Sequence, residues 1–139
     1  MYKRQQYAID SGSKELLLTS QDNGAFGADT GTSLENLLME LSHLDGKFRL
    51  RVGMLNPMLV AGRSHEMAKA WCDPRTYKFM HLPIQSGSQK ILDSMVRDHK
   101  LEEFWEVVNV FREHYPEMMI ITDVITCLLY TSPSPRDCQ

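Results

Sequence analysis

Apolar residues recur along the chain with two periods, and the switches between them mark alternating strands and helices. Leu16, Leu17 and Leu18 make a continuous apolar run within Glu15–Thr19, as in a buried parallel strand. A Gly-rich loop covers Ser20–Gly31. Leu34, Leu37, Leu38 and Leu41 then follow at i, i+3, i+4 and i+7, which puts them on one face of a helix. Thr32 with Glu35 reads as its capping box, and Asp45 and Gly46 close the unit. A second strand is predicted over Phe48–Met54, where Phe48, Leu50 and Val52 alternate with Arg49 and Arg51. Asn56 and Pro57 break it, and a helix follows around Ser64–Trp71. A third strand covers Phe79–Ile84. Its turn, Gln85–Ser88, places Ser88 to cap a helix carrying Ile91, Leu92 and Met95. A longer helix over Leu101–Tyr115 buries Phe104, Val107, Val108 and Phe111, and the last strand runs Met118–Ile125.

Strands joined by helical crossovers pair in parallel. Periodicity does not separate an open doubly wound sheet from a barrel, and both bind ligands at the carboxyl ends of the strands. Those ends carry Ser20, Gln21 and Asp22, then Asn56, then Gln85, Ser86 and Ser88, with Asp123 inside the last strand. Gln85-Ser86-Gly87-Ser88 joins a strand to a helix start, where free N–H groups favour an anion; plain capping by Ser88 is the rival reading. Arg49 and Arg51 share one strand face and reach either solvent or a lumen holding an anionic substrate. Arg97, just after a helix, lies near the same end or is a surface arginine. His81 alone in a strand reads as a satisfied core residue. Lys14, Lys47 and Lys78 all precede strands, at the wrong end for Schiff-base chemistry.

With 42% hydrophobic and 24% charged residues, the chain has globular proportions. A net charge of −3 gives neither a basic footprint for nucleic acid nor a patch for membrane contact. No apolar run is long enough to span a membrane and no signal pattern opens the chain, so an intracellular, cytoplasmic protein is expected. Cys72, Cys127 and Cys138 match no zinc knuckle, C-x-x-C pair or iron–sulfur run, and Cys72 is expected to pack near a helix end. From Cys127 to Gln139 the periodicity is lost. There LLYTSPSPRD is similar to translated sequencing-adapter read-through, and MYKRQ at Met1–Gln5 to its counterpart. Both ends are set aside, which leaves residues 6–126 as the natural segment.

Five blocks carry a family resemblance: LTSQDNGAFGADTGTSL (Leu18–Leu34), RLRVGMLNP (Arg49–Pro57), HLPIQSGS (His81–Ser88), MVRD (Met95–Asp98) and ITDVIT (Ile121–Thr126). In order and spacing they resemble the radical S-adenosylmethionine methylthiotransferases, in particular the archaeal and eukaryotic type that modifies threonylcarbamoyladenosine in tRNA. The resemblance implies an α/β fold, a parallel-stranded fragment of a partial (β/α)6 barrel holding strands two to five. It implies cofactor contacts at Gln21, Asp22, Gln85, Ser86 and Ser88, with Arg97 and Asp123 as weaker matches. Arg49, Arg51 and Asn56 are substrate candidates. It further implies S-adenosylmethionine and two [4Fe–4S] clusters in the parent enzyme, and tRNA held through other domains. The family's C-x-x-x-C-x-x-C motif is absent here, so the segment alone is expected to be inactive, with no catalytic residue and no cluster of its own. Rivals are a relative acting on isopentenyladenosine tRNA or a ribosomal protein, a metal-dependent α/β-barrel enzyme using Asp22 and Asp123, and a non-enzymatic adaptor.

Overall fold

The computed structural model describes residues 3–97 and 99–126. Strands and helices alternate along them: α1 (Lys3–Asp10), β1 (Glu15–Leu18), α2 (Leu34–Ser42), β2 (Arg49–Val52), α3 (Pro57–Val60), α4 (Ser64–Ala70), β3 (Phe79–His81), α5 (Gln89–Ser94), α6 (Leu101–His114) and β4 (Met119–Ile121). β1 pairs in parallel with β2, with Leu16 opposite Leu50 and Leu18 opposite Val52. β3 pairs in parallel with β4, with Met80 opposite Ile120. The two pairs adjoin. Leu50 N–H donates to Arg75 O, Tyr77 N–H to Leu50 O and Leu55 N–H to His81 O, each at 2.9 Å. The strands therefore follow one another in chain order.

Alternation along each strand produces two unlike faces. Leu16, Leu18, Leu50, Val52 and Met80 are buried in one cluster with the leucine stripe of α2 and with Phe104, Val107, Val108 and Phe111 of α6. Glu15, Leu17, Arg49 and Arg51 lie on the other face and are exposed. Among the described residues, helices thus cover one side of the sheet and leave the other bare. Trp71, just past α4, is fully buried. It meets Phe111 edge to face at 5.5 Å, and its indole N–H donates to Tyr77 O at 2.9 Å.

Several local expectations need correction. The cap of α2 is Ser33, which accepts from Asn36 N–H. Glu35 is not part of a capping box with Thr32; it pairs with Arg63 instead. Asn56-Pro57 starts α3 as well as ending β2, because proline suits a first helical position. Ser88 stands at the head of α5 but makes no side-chain cap. Cys72 follows α4 but is exposed. The strands are shorter than their apolar runs. At the amino end α1 begins at Lys3, inside the stretch set aside. It is regular, has no buried residue, and leans on the core through partly buried Ala8 and Ile9. The expectation for residues 127–139 lies outside the described residues.

Candidate ligand rim at the strand ends

Three loops build the rim. In the first, Asp22 Oδ1 accepts from Gly24 N–H at 2.8 Å and from Asn56 N–H at 3.3 Å, so one carboxylate ties the ends of β1 and β2 together. Asn23 is buried. Its backbone and amide N–H groups both donate to Met54 O, at 3.0 and 3.1 Å. This approach requires Gly53, where a Cβ would lie 2.8 Å from both Asn23 Nδ2 and Leu18 O. Arg63 fastens the loop from outside. It donates to Gly24 O at 2.6 Å, to Leu59 O at 2.9 Å and to the Glu35 carboxylate at 2.8 and 2.9 Å. In the second loop, Asn56 Oδ1 accepts from Met58 N–H at 3.2 Å.

The third loop holds the strained residue of the rim. Gln85 has φ 67°, a left-handed conformation that a residue with a Cβ adopts at a cost. It is held there from both sides: its N–H donates to Asp123 O and its carbonyl accepts from Ile125 N–H, each at 2.8 Å. Ile84 O, just before it, accepts Ser86 N–H at 2.8 Å and lies 3.0 Å from Nε2 of buried His99. Ser86 Oγ accepts from Ser88 N–H at 3.2 Å. A Cβ on Gly87 would meet nothing within 4 Å, so the distinctive backbone of this turn is at Gln85.

Asn56, Gln85, Arg97 and His99 line one recess of about 50 Å³ with Met54, Pro57 and Pro83. Asp22 reaches it through its bond to Asn56, and Ser86 adjoins Gln85. Gln21 is exposed, and Gln21 and Ser88 do not line it. A recess of this size takes one polar group of a ligand rather than a whole one. A larger cavity, about 440 Å³, runs beside β1, where Leu16, Leu17, Leu34 and Leu37 meet the polar Arg4, Gln5, Thr19, Ser20 and Asn23; none of the residues predicted from sequence as a cofactor or substrate contact lines it.

On the bare face Asp123 meets His81 Nε2 at 2.7 Å. The core reading of His81 is thereby overturned: its side chain is 32% exposed because β3 turns it away from the helices. The two arginines part company. Arg49 donates to Pro74 O at 3.0 Å, whereas the Arg51 guanidinium lies 4.3 Å over the Phe79 ring.

The shifted titrations fall away from the rim. Burial pushes the Asp73 carboxyl up, but hydrogen bonds and charge from Arg75 outweigh it and hold the group below its ordinary value. Burial pulls Lys78 down and pushes Tyr115 up. Backbone donation from Gly62 and the Ser64 hydroxyl lower Glu106. These groups brace helices and strand starts. Among the described residues no three His, Cys, Asp or Glu side chains converge as metal ligands. Asp22 Oδ1 and Asp123 Oδ2 are engaged by different partners, a backbone N–H and the His81 imidazole. A [4Fe–4S] cluster takes several thiolates, and Cys72 is exposed; the described residues do not fit one.

Asn23, Arg63 and His99 were not read from sequence as rim residues. Asn23 and His99 sit beside motif residues, but nothing in spacing reveals burial. Arg63 acts across a gap of 39 residues to Gly24.

Fold and rim define a parallel β/α segment that presents polar groups at its strand ends. In sequence, the chain is similar to proteins named threonylcarbamoyladenosine tRNA methylthiotransferase. It is 44% identical over 119 residues, 86% of its length, to a probable enzyme of that name from Pyrococcus horikoshii. It is 42% identical over 124 residues to the Drosophila melanogaster protein and 39% identical over 127 residues to that of Mus musculus. The chain spans 28% of the archaeal relative and 22% of each animal one. No family model matches it.

Proposed function

We propose that this chain is the central part of the radical S-adenosylmethionine barrel of an enzyme that methylthiolates N6-threonylcarbamoyladenosine in tRNA. The supporting observation is the 38–44% identity, over most of the chain, to archaeal and animal relatives bearing that name. In this reading the four parallel strands are the second to fifth of the barrel, and the bare face lines its lumen.

The donor set of the rim fits S-adenosylmethionine, which carries a carboxylate, an ammonium and a ribose. Arg97 suits the carboxylate, and the amides of Asn56 and Gln85 suit the ribose hydroxyls. Ser86 and Ser88 offer hydroxyls beside the start of α5. Asp22 suits the ammonium, since its hydrogen bonds among the described residues use Oδ1 alone; exposed Gln21 flanks it. The cofactor, when bound, supplies the radical. The chain's own part is to bind it, orient it and hold the rim rigid. The clusters and the main tRNA contacts belong to other parts of the parent protein, an intracellular enzyme.

The test uses the complete parent with its clusters loaded, S-adenosylmethionine, reductant, a sulfur donor and tRNA carrying threonylcarbamoyladenosine. Nucleoside mass spectrometry should show the methylthio derivative of that base. Methylthiolation of isopentenyladenosine tRNA instead would overturn the substrate assignment.

A further inference from the structure

We propose that Arg51, Phe79 and His81, with Asp123 behind His81, form a substrate subsite on the bare face that recognises a carboxylate attached to the target base. The inference rests on the enzyme reading above and adds the group that selects the substrate. The Arg51 guanidinium lies over the Phe79 ring, 4.3 Å from its centroid. Stacking leaves the N–H edge of a guanidinium free, and no hydrogen bond or ion pair engages it among the described residues. A planar edge with several donors matches a carboxylate bidentately. Arg49, two residues back on the same face, is already committed to Pro74 O at 3.0 Å, so the two are not equivalent.

His81 lies two residues beyond Phe79 on β3, on the same face. Its contact with Asp123, 2.7 Å with side chains 32% and 59% exposed, is too open to add much stability. It does fix the imidazole: Asp123 takes the Nε2 side, and Nδ1 has no partner among the described residues. Asp123 also accepts Gln85 N–H through its backbone at 2.8 Å, which joins the subsite to the rim. The other charge of β1 and β2 on this face besides Arg49 is Glu15, at the amino end of the sheet. Leu17 and Ile121 are exposed apolar neighbours. Among the described residues of β2, β3 and the stretch after β4, this face thus offers an uncommitted guanidinium, an oriented imidazole and apolar flanks. A threonylcarbamoyl substituent ends in a carboxylate, and an isopentenyl group carries none. Arg51 would therefore discriminate between such tRNAs by charge.

The experiment uses the complete parent with clusters loaded and compares wild type with Arg51→Gln, Arg51→Lys and His81→Gln. Steady-state kinetics on threonylcarbamoyladenosine tRNA are set beside equilibrium binding of S-adenosylmethionine. Arg51→Gln should raise KM for the tRNA by about tenfold or more, with cofactor affinity kept. Arg51→Lys should recover part of the loss, because charge remains without the fork. His81→Gln should raise KM less. An active wild type with unchanged KM in Arg51→Gln would overturn the subsite alone. Loss of cofactor binding in both Arg51 variants would also overturn it, by making Arg51 structural. An inactive wild type would overturn the enzyme reading, and the subsite with it.

Discussion

Arg75 shows how much one side chain can hold together here. It donates to Leu44 O at 2.6 Å and Ser42 O at 2.7 Å, closing the end of α2, and forks onto Asp73. Its guanidinium also covers Phe48 at 4.5 Å. Arg75→Ala strands these carbonyls and the buried Asp73 carboxylate, so it should cost about 2–3 kcal/mol. Urea denaturation would check it, with Arg75→Lys recovering little because an ammonium lacks the fork. The pH dependence has a definite sign. The folded pKa of Asp73 lies below the ordinary aspartate value. Its contribution is therefore complete above that value and drains away as pH falls through the folded one. Asp73→Asn should flatten the acid limb of a stability–pH curve; an unchanged limb would exclude the group. None of this was legible in the sequence. Arg75 reads there as one more charge in a loop, because its partners lie 31 and 33 residues away.

At the scale of elements, the leucine stripe of α2 and the apolar face of α6 were readable because a period of 3.6 records burial directly. Caps were less readable, since Thr32 and Ser33 are chemically alike neighbours and only geometry selects one. Ser33→Ala should cost about 1 kcal/mol and Thr32→Ala far less; the reverse order in thermal melts would restore the original cap. The turn after β3 carries its strain at Gln85, not at Gly87. Gln85→Gly should therefore relieve strain and leave stability unchanged or raised by up to about 1 kcal/mol. It also removes an amide from the recess, so any ligand affinity should fall. A clear drop in stability would mean that the φ of 67° carries no strain.

At the scale of the whole molecule, the polar rim was visible in the sequence because parallel strands bring their carboxyl ends together whatever the detailed packing. The alternation along β2 set Arg49 and Arg51 on a face open to solvent or to a lumen, and that face is the uncovered one. Arg51 and Asp123 were named there as candidates, but the part proposed for His81 was not, because it looks like a core residue until the sheet's facing is known. That face and the outer strand carry exposed apolar residues: Leu17 at 53%, Met119 at 61%, Ile121 at 42% and Val124 at 60%. Alone, this chain should self-associate through them, and Ile121→Lys should lower the apparent mass in light scattering. A monomeric wild type would contradict that expectation. The claim on which the account turns is that the rim holds the cofactor, and equilibrium binding of S-adenosylmethionine to the complete, cluster-loaded parent tests it most directly. The double variant Gln85→Ala/Ser86→Ala should bind about tenfold more weakly or worse with both clusters still in place; unchanged affinity would reduce the rim to a capped turn and remove the site.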